Sequence, residues 1–251
     1  MKKLLIASAI SAAAMLASTS SFAQLTGSAT VTNNYLWRGL TQSMNEAAIQ
    51  GGIKYTGASG AYVGTWASNV EYDAGDVYSY ENDLYFGFAG SFAEGMGYDL
   101  GYLYYNYDEN AGFDFGEVYG TLTVGNLALK AFFLTNAEPS EVALGRPDWD
   151  FAAFETYYFS GDYSIPMASG AVVGLHVGMH EGDFAEAFNG VTGGYIDYNV
   201  SIAKDGFMGM ISMTDLGDDD DNDGVEDYAS MSARDNDEIK FVVGYTVNFE
   251  L

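Results

Sequence analysis

The stretch Lys240-Phe241-Val242-Val243-Gly244-Tyr245-Thr246-Val247-Asn248-Phe249-Glu250-Leu251 decides how this chain is read. Phe241, Val243, Tyr245, Val247, Phe249 and Leu251 share one face, while Val242, Gly244, Thr246, Asn248 and Glu250 share the other. That is the two-residue period of a β-strand, because a helix would scatter the same apolar residues around its circumference. An apolar strand running to the last residue would leave an aggregation-prone edge in a soluble protein. In a closed barrel it pairs with the first strand, and no edge remains.

The same alternation recurs towards the N-terminus. In 25–38, Leu25, Gly27, Ala29, Val31, Asn33, Tyr35 and Trp37 alternate with Thr26, Ser28, Thr30, Thr32, Asn34, Leu36 and Arg38. Residues 83–92, 171–180 and 195–203 behave alike, with Gly, Ser, Thr, Tyr and occasional charges opposite the apolar side chains. Segments of ~9–11 residues are what a tilted membrane strand needs, against ~5–6 for a typical soluble strand. The pattern predicts twelve strands, at 25–38, 47–56, 60–71, 79–92, 96–107, 113–125, 127–136, 150–160, 169–180, 191–203, 206–215 and 237–251. The fold class is therefore all-β, an up-and-down antiparallel transmembrane barrel with the even strand count of a bacterial single-chain barrel. Tight turns at 57–59, 125–126 and 204–205 alternate with longer polar connections, as short periplasmic turns alternate with long external loops. The linker at 164–166 is long for a periplasmic turn and leaves the count open by one hairpin. In 60–71 either Tyr62, Gly64, Trp66 and Ser68 or Ala61, Val63, Thr65 and Ala67 face inward.

Lys2 and Lys3, an apolar run from Leu4 to Ala17, and Ser21-Phe22-Ala23 have the form of an export leader. Residues 1–23 are read as a cleaved signal peptide and 24–251 as the barrel domain, beginning at Gln24. Removing the two lysines takes the formal charge from −26 to −28. Such a field disfavours nucleic acid and anionic surfaces and favours cationic solutes. Cysteine is absent, so the exported fold is held by its core and its backbone ladder rather than by disulfides.

Trp37-Arg38-Gly39-Leu40-Thr41-Gln42-Ser43, Gln50-Gly51-Gly52 and Tyr62-Val63-Gly64-Thr65-Trp66-Ala67-Ser68-Asn69-Val70 resemble the TorF-type porin family of proteobacteria. Looser similarity continues through 81–87 and 213–215. The resemblance implies an outer-membrane barrel with a transport role, supplies no substrate and assigns no residue. The acidic insertion after Leu216 is longer than the family pattern. Tyr245, Val247, Phe249 and Leu251 also resemble the terminal signal read by the barrel-assembly machinery, with Leu251 where an aromatic residue is usual. Outer-membrane lipid and that machinery are the expected partners.

If the apolar faces meet lipid, Arg38, Asp83, Asp99, Glu117, Lys130, Glu155, His176, Asp197 and Glu250 point into the lumen. Carboxylates outnumber cations in this set, and charge rings set ion preference in water-filled barrels, so a cation-preferring lumen is expected. The competing expectation is that these charges pair and fill the interior, as in small barrels. Arg38 is read either as a pore-tuning cation or, preferably, as a strand-end arginine paired with a nearby carboxylate. His176 and His180, four apart on one strand face, lie ~13 Å from each other and cannot share an ion. A serine hydrolase would need one of them beside a serine and an orienting group, and no nucleophile motif marks such a serine.

Asp219, Asp221 and Asp223 alternate before Gly224, with Asp227 beyond. Those carboxylates and the Val225 carbonyl form a candidate calcium site of low affinity. The position of the bidentate glutamate of an EF-hand is Ser230, so the run resembles a thrombospondin-type loop instead. Apart from calcium no cofactor is expected. Passive diffusion of small hydrophilic solutes, preferentially cations, through a porin-like channel is the leading function. The alternative is a structural or adhesion barrel with a filled lumen and working external loops such as 137–148 and 216–235.

Overall fold

The computed structural model describes residues 23–73, 75–139, 144, 147–191, 193–217 and 234–250. The expected leader, the calcium loop with Asp219, Asp221, Asp223, Val225 and Asp227, and the terminal Leu251 lie outside the described residues.

Alternating side chains produce long strands, and these close into one antiparallel barrel. Its strands are β1 (Gln24–Thr32), β4 (Ala48–Thr56), β5 (Ala61–Asn69), β6 (Tyr80–Ala93), β7 (Met96–Asn106), β8 (Phe115–Val124), β9 (Leu127–Ala137), β10 (Tyr157–Pro166), β11 (Val172–Glu181), β12 (Tyr195–Lys204), β13 (Phe207–Thr214) and β14 (Lys240–Glu250). Two further strands, β2 (Leu36–Trp37) and β3 (Leu40–Thr41), form a small separate hairpin. Each barrel strand pairs with its chain neighbour, and β1 closes the ring on β14 with Thr26 opposite Glu250 and Thr32 opposite Gly244. The twelve-strand expectation holds, with three local corrections. Residues 164–166 are not a turn: they end β10, where Pro166 pairs with Val172. The strand expected at 150–160 starts only at Tyr157, because the preceding residues turn and Phe154 adopts φ 74°. The first strand stops at Thr32 rather than reaching Arg38.

One rim of the barrel carries both ends of the described chain and the turns at 57–60, 94–95, 125–126, 167–171 and 205–206. At the other the chain leaves and re-enters the wall for the connections 33–47, 70–79, 107–114, 138–156, 182–194 and 215–239, and α1 (Asp183–Asn189) sits within the fifth of these. Outward-facing Val31, Ile53, Phe86, Leu100, Val200 and Val243 are all exposed, and equivalents occur on every barrel strand. A soluble monomer rarely exposes more than a few hundred Å² of contiguous apolar surface; here the belt encircles the molecule. Tyr55, Phe92, Tyr163 and the Phe207–Tyr245 pair, with rings 4.6 Å apart, mark the belt near the turn rim. Aromatic residues at that level suit a lipid–water boundary. Among the described residues no helix is long and apolar enough to cross a membrane. The crossing is made by strands.

Candidate functional site: a hairpin across the lumen

Nine residues of β1 suffice to cross, so the chain leaves the wall after Thr32 and folds inward. Arg38 at φ 50° and Gly39 at φ 84° make the tight reversal between β2 and β3. Only glycine fits at 39: a Cβ there would lie 2.6 Å from Asp197 Cβ and 3.0 Å from Thr214 Cγ2. Tyr35 and Trp37, expected on the lipid face by continued alternation, are buried inside the barrel instead.

The hairpin reaches several walls at once. Leu36 packs with Met210 of β13 and Val242 of β14, and Leu40 packs with Val191, Tyr195 and Leu216. Trp37 meets Tyr105, Phe115 and His180 edge-on, and also Phe188 of α1. Around it Leu103, Phe115, Phe132, Leu134, Phe151, Tyr158 and Phe184 complete an aromatic core. Polar ties fix the hairpin's base. Thr41 N donates to Asn236 Oδ1 at 3.0 Å, Thr41 Oγ1 to Asn34 Oδ1 at 2.6 Å, and Asn45 Nδ2 to the Arg234 carbonyl at 2.8 Å.

At the tip, Arg38 Nη2 donates to Glu117 Oε2 at 2.5 Å and Nη1 lies 2.8 Å from His180 Nε2. Its guanidinium carbon stands 4.2 Å from the Trp37 ring centre and 4.5 Å from that of Tyr158, where π faces stabilise the cation. Tyr105 Oη donates to the same Glu117 oxygen at 3.1 Å. Arg38 thus has the carboxylate partner expected for it, but that partner lies 79 residues away on the opposite wall.

A second charged group lies nearer the turn rim. His176 Nδ1 is 2.8 Å from Asp162 Oδ1, and its Nε2 is 2.9 Å from Asp197 Oδ1. Lys130 Nζ lies 3.0 Å from Asp162 Oδ2, and Tyr158 Oη donates to Asp197 Oδ2 at 2.9 Å. On the facing wall Tyr62 joins Asp99 and Tyr119, with Lys54 Nζ 3.8 Å over the Tyr62 ring. This group meets water: the side chains of Lys130 and Asp162 are 18% and 31% exposed, against 3% and 2% for Arg38 and Glu117.

Of the lumen residues named from sequence, Asp83, Asp99, Glu117, Lys130, His176 and Asp197 do face inward. Asp83 is buried beside the hairpin level, and its Oδ1 has no hydrogen-bond partner among the described residues. Arg38 reaches the lumen from a loop, not from a strand. Glu155 does not line it: the residue is exposed and precedes β10. Glu250 takes an inward register but sits exposed at the turn rim. In 60–71 the inward set is Tyr62, Gly64, Trp66 and Ser68, of which Tyr62 and Ser68 are buried. The carboxylate excess inferred from parity is offset in part, since Arg38 stands against Glu117, Lys130 against Asp162, and His176 against Asp162 and Asp197. Asp162, Tyr158 and the hairpin were missed. A 14-residue first segment, longer than a crossing needs, was the available signal for the last of these.

The chemistry open to the histidines is narrow. Both His176 nitrogens face carboxylates and therefore carry protons, while His180 Nε2 accepts from Arg38. Neither histidine offers a lone pair to a serine. Ser160, on the same inner wall, has a buried Oγ with no hydrogen-bond partner among the described residues. The loop rim is acidic, with Glu71, Asp73, Glu109, Glu138, Asp150 and Glu155 exposed. Asp108 there accepts from Ser79 N at 2.6 Å, Ser79 Oγ at 2.7 Å and Tyr80 N at 3.1 Å. Slight burial tends to raise its pKa, and these bonds outweigh that and hold it below the ordinary aspartate value.

A family model described as "Bacterial protein of unknown function (Gcw_chp)" matches residues 16–246, and the chain belongs to that family. No curated protein matches the sequence. Among solved structures it is similar to one titled "KdgM porin", at 8% identity and TM-score 0.50, over 90% of this chain and 99% of that one. It is also similar to outer membrane phospholipase A from Escherichia coli, at 10% identity and TM-score 0.43, over 90% and 95% of the two chains. OprD from Pseudomonas aeruginosa matches at 10% identity and TM-score 0.41, over 82% of this chain and 60% of that one. At such identity the first likeness bears on barrel architecture and nothing finer. A bacterial chain folded as a closed antiparallel barrel with a lipid-facing belt is an outer-membrane protein.

Proposed function

We propose that this member of the Gcw_chp family is a porin-like channel for small hydrophilic solutes that rests with its lumen closed by the β2–β3 hairpin. The observation that carries this reading is the origin of the closure. The barrel wall encloses a wet, charged interior towards the turn rim, and what blocks the far end is a loop. Side chains fixed on strands cannot leave a lumen, whereas an inserted loop can. The TorF-type resemblance of residues 37–43 and 62–70 supports the same reading. Cation preference then belongs to the acidic loop rim, which concentrates cations at the mouth, more than to the lumen, where cations offset part of the acidic charge.

A second reading, the filled barrel whose external loops do the work, is favoured by the near-zero exposure of Leu103, Phe115, Glu117 and Leu134. Planar-bilayer recordings separate the two. The refolded protein is compared with a variant in which residues 36–41 are replaced by a Gly-Ser linker, after a heat-modifiability gel has verified a closed barrel in both. Rare openings in the parent and frequent, larger, cation-selective steps in the variant support the channel. Silence from both at high protein load overturns it in favour of the filled barrel. Calcium binding at Asp219, Asp221, Asp223, Val225 and Asp227 is a separate proposal. Calorimetry of the intact protein with calcium tests it, and the absence of heat removes it.

A further inference from the structure

We propose that the hairpin is a proton-operated latch with His180 as its sensor; its role as a gate rests on the channel reading above, but its movement does not. The argument starts from what arginine can do. A guanidinium only donates, so the 2.8 Å contact between Arg38 Nη1 and His180 Nε2 requires a lone pair on that nitrogen. The single ring proton then sits on Nδ1, 3.3 Å from Tyr195 Oη. The closed arrangement therefore needs a neutral imidazole at 180.

A proton arriving at Nε2 removes the acceptor and sets two cations in contact. Both residues are buried, His180 at 2% and Arg38 at 4% exposure, so water screens the repulsion poorly. The groups packed round His180 do little to offset it. Tyr158 of β10 presents its ring 5.7 Å away, with its hydroxyl engaged by Asp197. Tyr195 of β12 accepts from Nδ1 through its hydroxyl oxygen, and Asn189 of α1 places Nδ2 3.5 Å from the same nitrogen. Trp37 of the hairpin lies edge-on at 5.4 Å. Glu117 of β8 is engaged by the other terminal nitrogen of Arg38, Nη2, and by Tyr105 Oη. Protonation of Glu117 would also loosen Arg38, which is why the test must isolate position 180.

His176, on the same strand face, meets the opposite condition. Asp162 and Asp197 stand against its two nitrogens, so a charged imidazolium is already accommodated there. Acidification thus disturbs the hairpin contact and leaves the wet group intact. The side that yields is the hairpin, because β11 is held by backbone ladders to both β10 and β12.

The chain has no cysteine, so a single Leu40→Cys reports the hairpin and Ser59→Cys, on an exposed turn, corrects for thiol reactivity. Both full-length mature proteins are refolded into lipid vesicles and labelled with a charged methanethiosulfonate. The Leu40→Cys to Ser59→Cys labelling ratio should rise roughly tenfold between about pH 8 and about pH 5, as expected of a shifted two-state latch. It should stay flat with His180→Gln, whose amide oxygen accepts from Arg38 without titrating, and stay high at both values with His180→Arg. A flat ratio in the parent overturns the latch, and an undiminished rise with His180→Gln overturns His180 as its sensor. Conductance is recorded on the same preparations. Labelling that rises while the bilayer stays silent keeps the latch and removes the channel reading.

Discussion

Two ion-pair systems lie inside one barrel, and they are built on different terms. Near the loop rim, Arg38 and Glu117 are sealed among Trp37, Phe132, Tyr105 and Tyr158. Nearer the turn rim, Lys130, Asp162 and His176 are linked at similar distances but remain in contact with water. Along β14 the change is visible residue by residue: inward-facing Glu250 and Asn248 are exposed, Thr246 and Gly244 intermediate, Val242 and Lys240 buried. The same kinds of side chain therefore do different work according to the medium. In the dry half a broken pair strands a charge, whereas in the wet half solvent takes over.

That contrast can be broken by substitution. The largest expected effect is Glu117→Ala, which leaves the Arg38 guanidinium buried without its carboxylate and should cost ~3–5 kcal/mol. Urea unfolding followed by tryptophan fluorescence in micelles reads it. Leu134→Ala opens a cavity in the fully buried aromatic core and should cost ~2–5 kcal/mol in the same assay, with the loss at the low end if Phe132 and Tyr158 collapse inward. Leu100→Arg tests the outer face rather than the lumen. At 59% exposure it would be harmless on a soluble protein, yet in a bilayer it should cost ~2–4 kcal/mol near the midplane. Lys130→Met is the smallest: Asp162 keeps His176, the site is wet, and the loss should stay below ~1 kcal/mol. Its readout is reversal potential, which should move towards greater cation preference. Equal costs for Lys130→Met and Glu117→Ala would erase the distinction between the halves.

What was legible from sequence follows from the same physics. A membrane forces every strand to alternate, so period two exposed the barrel, its strand count and the inward parity of Asp83, Glu117, His176 and Asp197. Parity says nothing about where a strand ends. Tyr35 and Trp37 continued the apolar face of β1 by coincidence, while the chain turns into the lumen beyond Asn33, which is exposed and still bonded to β14. Glu155 failed for the same reason, since its parity was counted along a strand that begins at Tyr157. Pairings such as Arg38 with Glu117 are set by ring closure, which brings together walls far apart in sequence, and no local pattern encodes them. The helix α1 was hidden because only seven residues form it, between Gly182 and Gly190.

The ladder and the latch also set different tasks for the assembling chain. Every barrel strand except the closing pair finds its partner one connection away, which favours rapid sequential zipping. The hairpin follows the first strand, yet its anchors are 79, 142 and 195 residues downstream, at Glu117, His180 and Asn236. It can seat only when most of the wall exists. Refolding should therefore show native sheet content well before Trp37 reaches its final emission, with the late phase belonging to the docking of six residues rather than to the making of twelve strands.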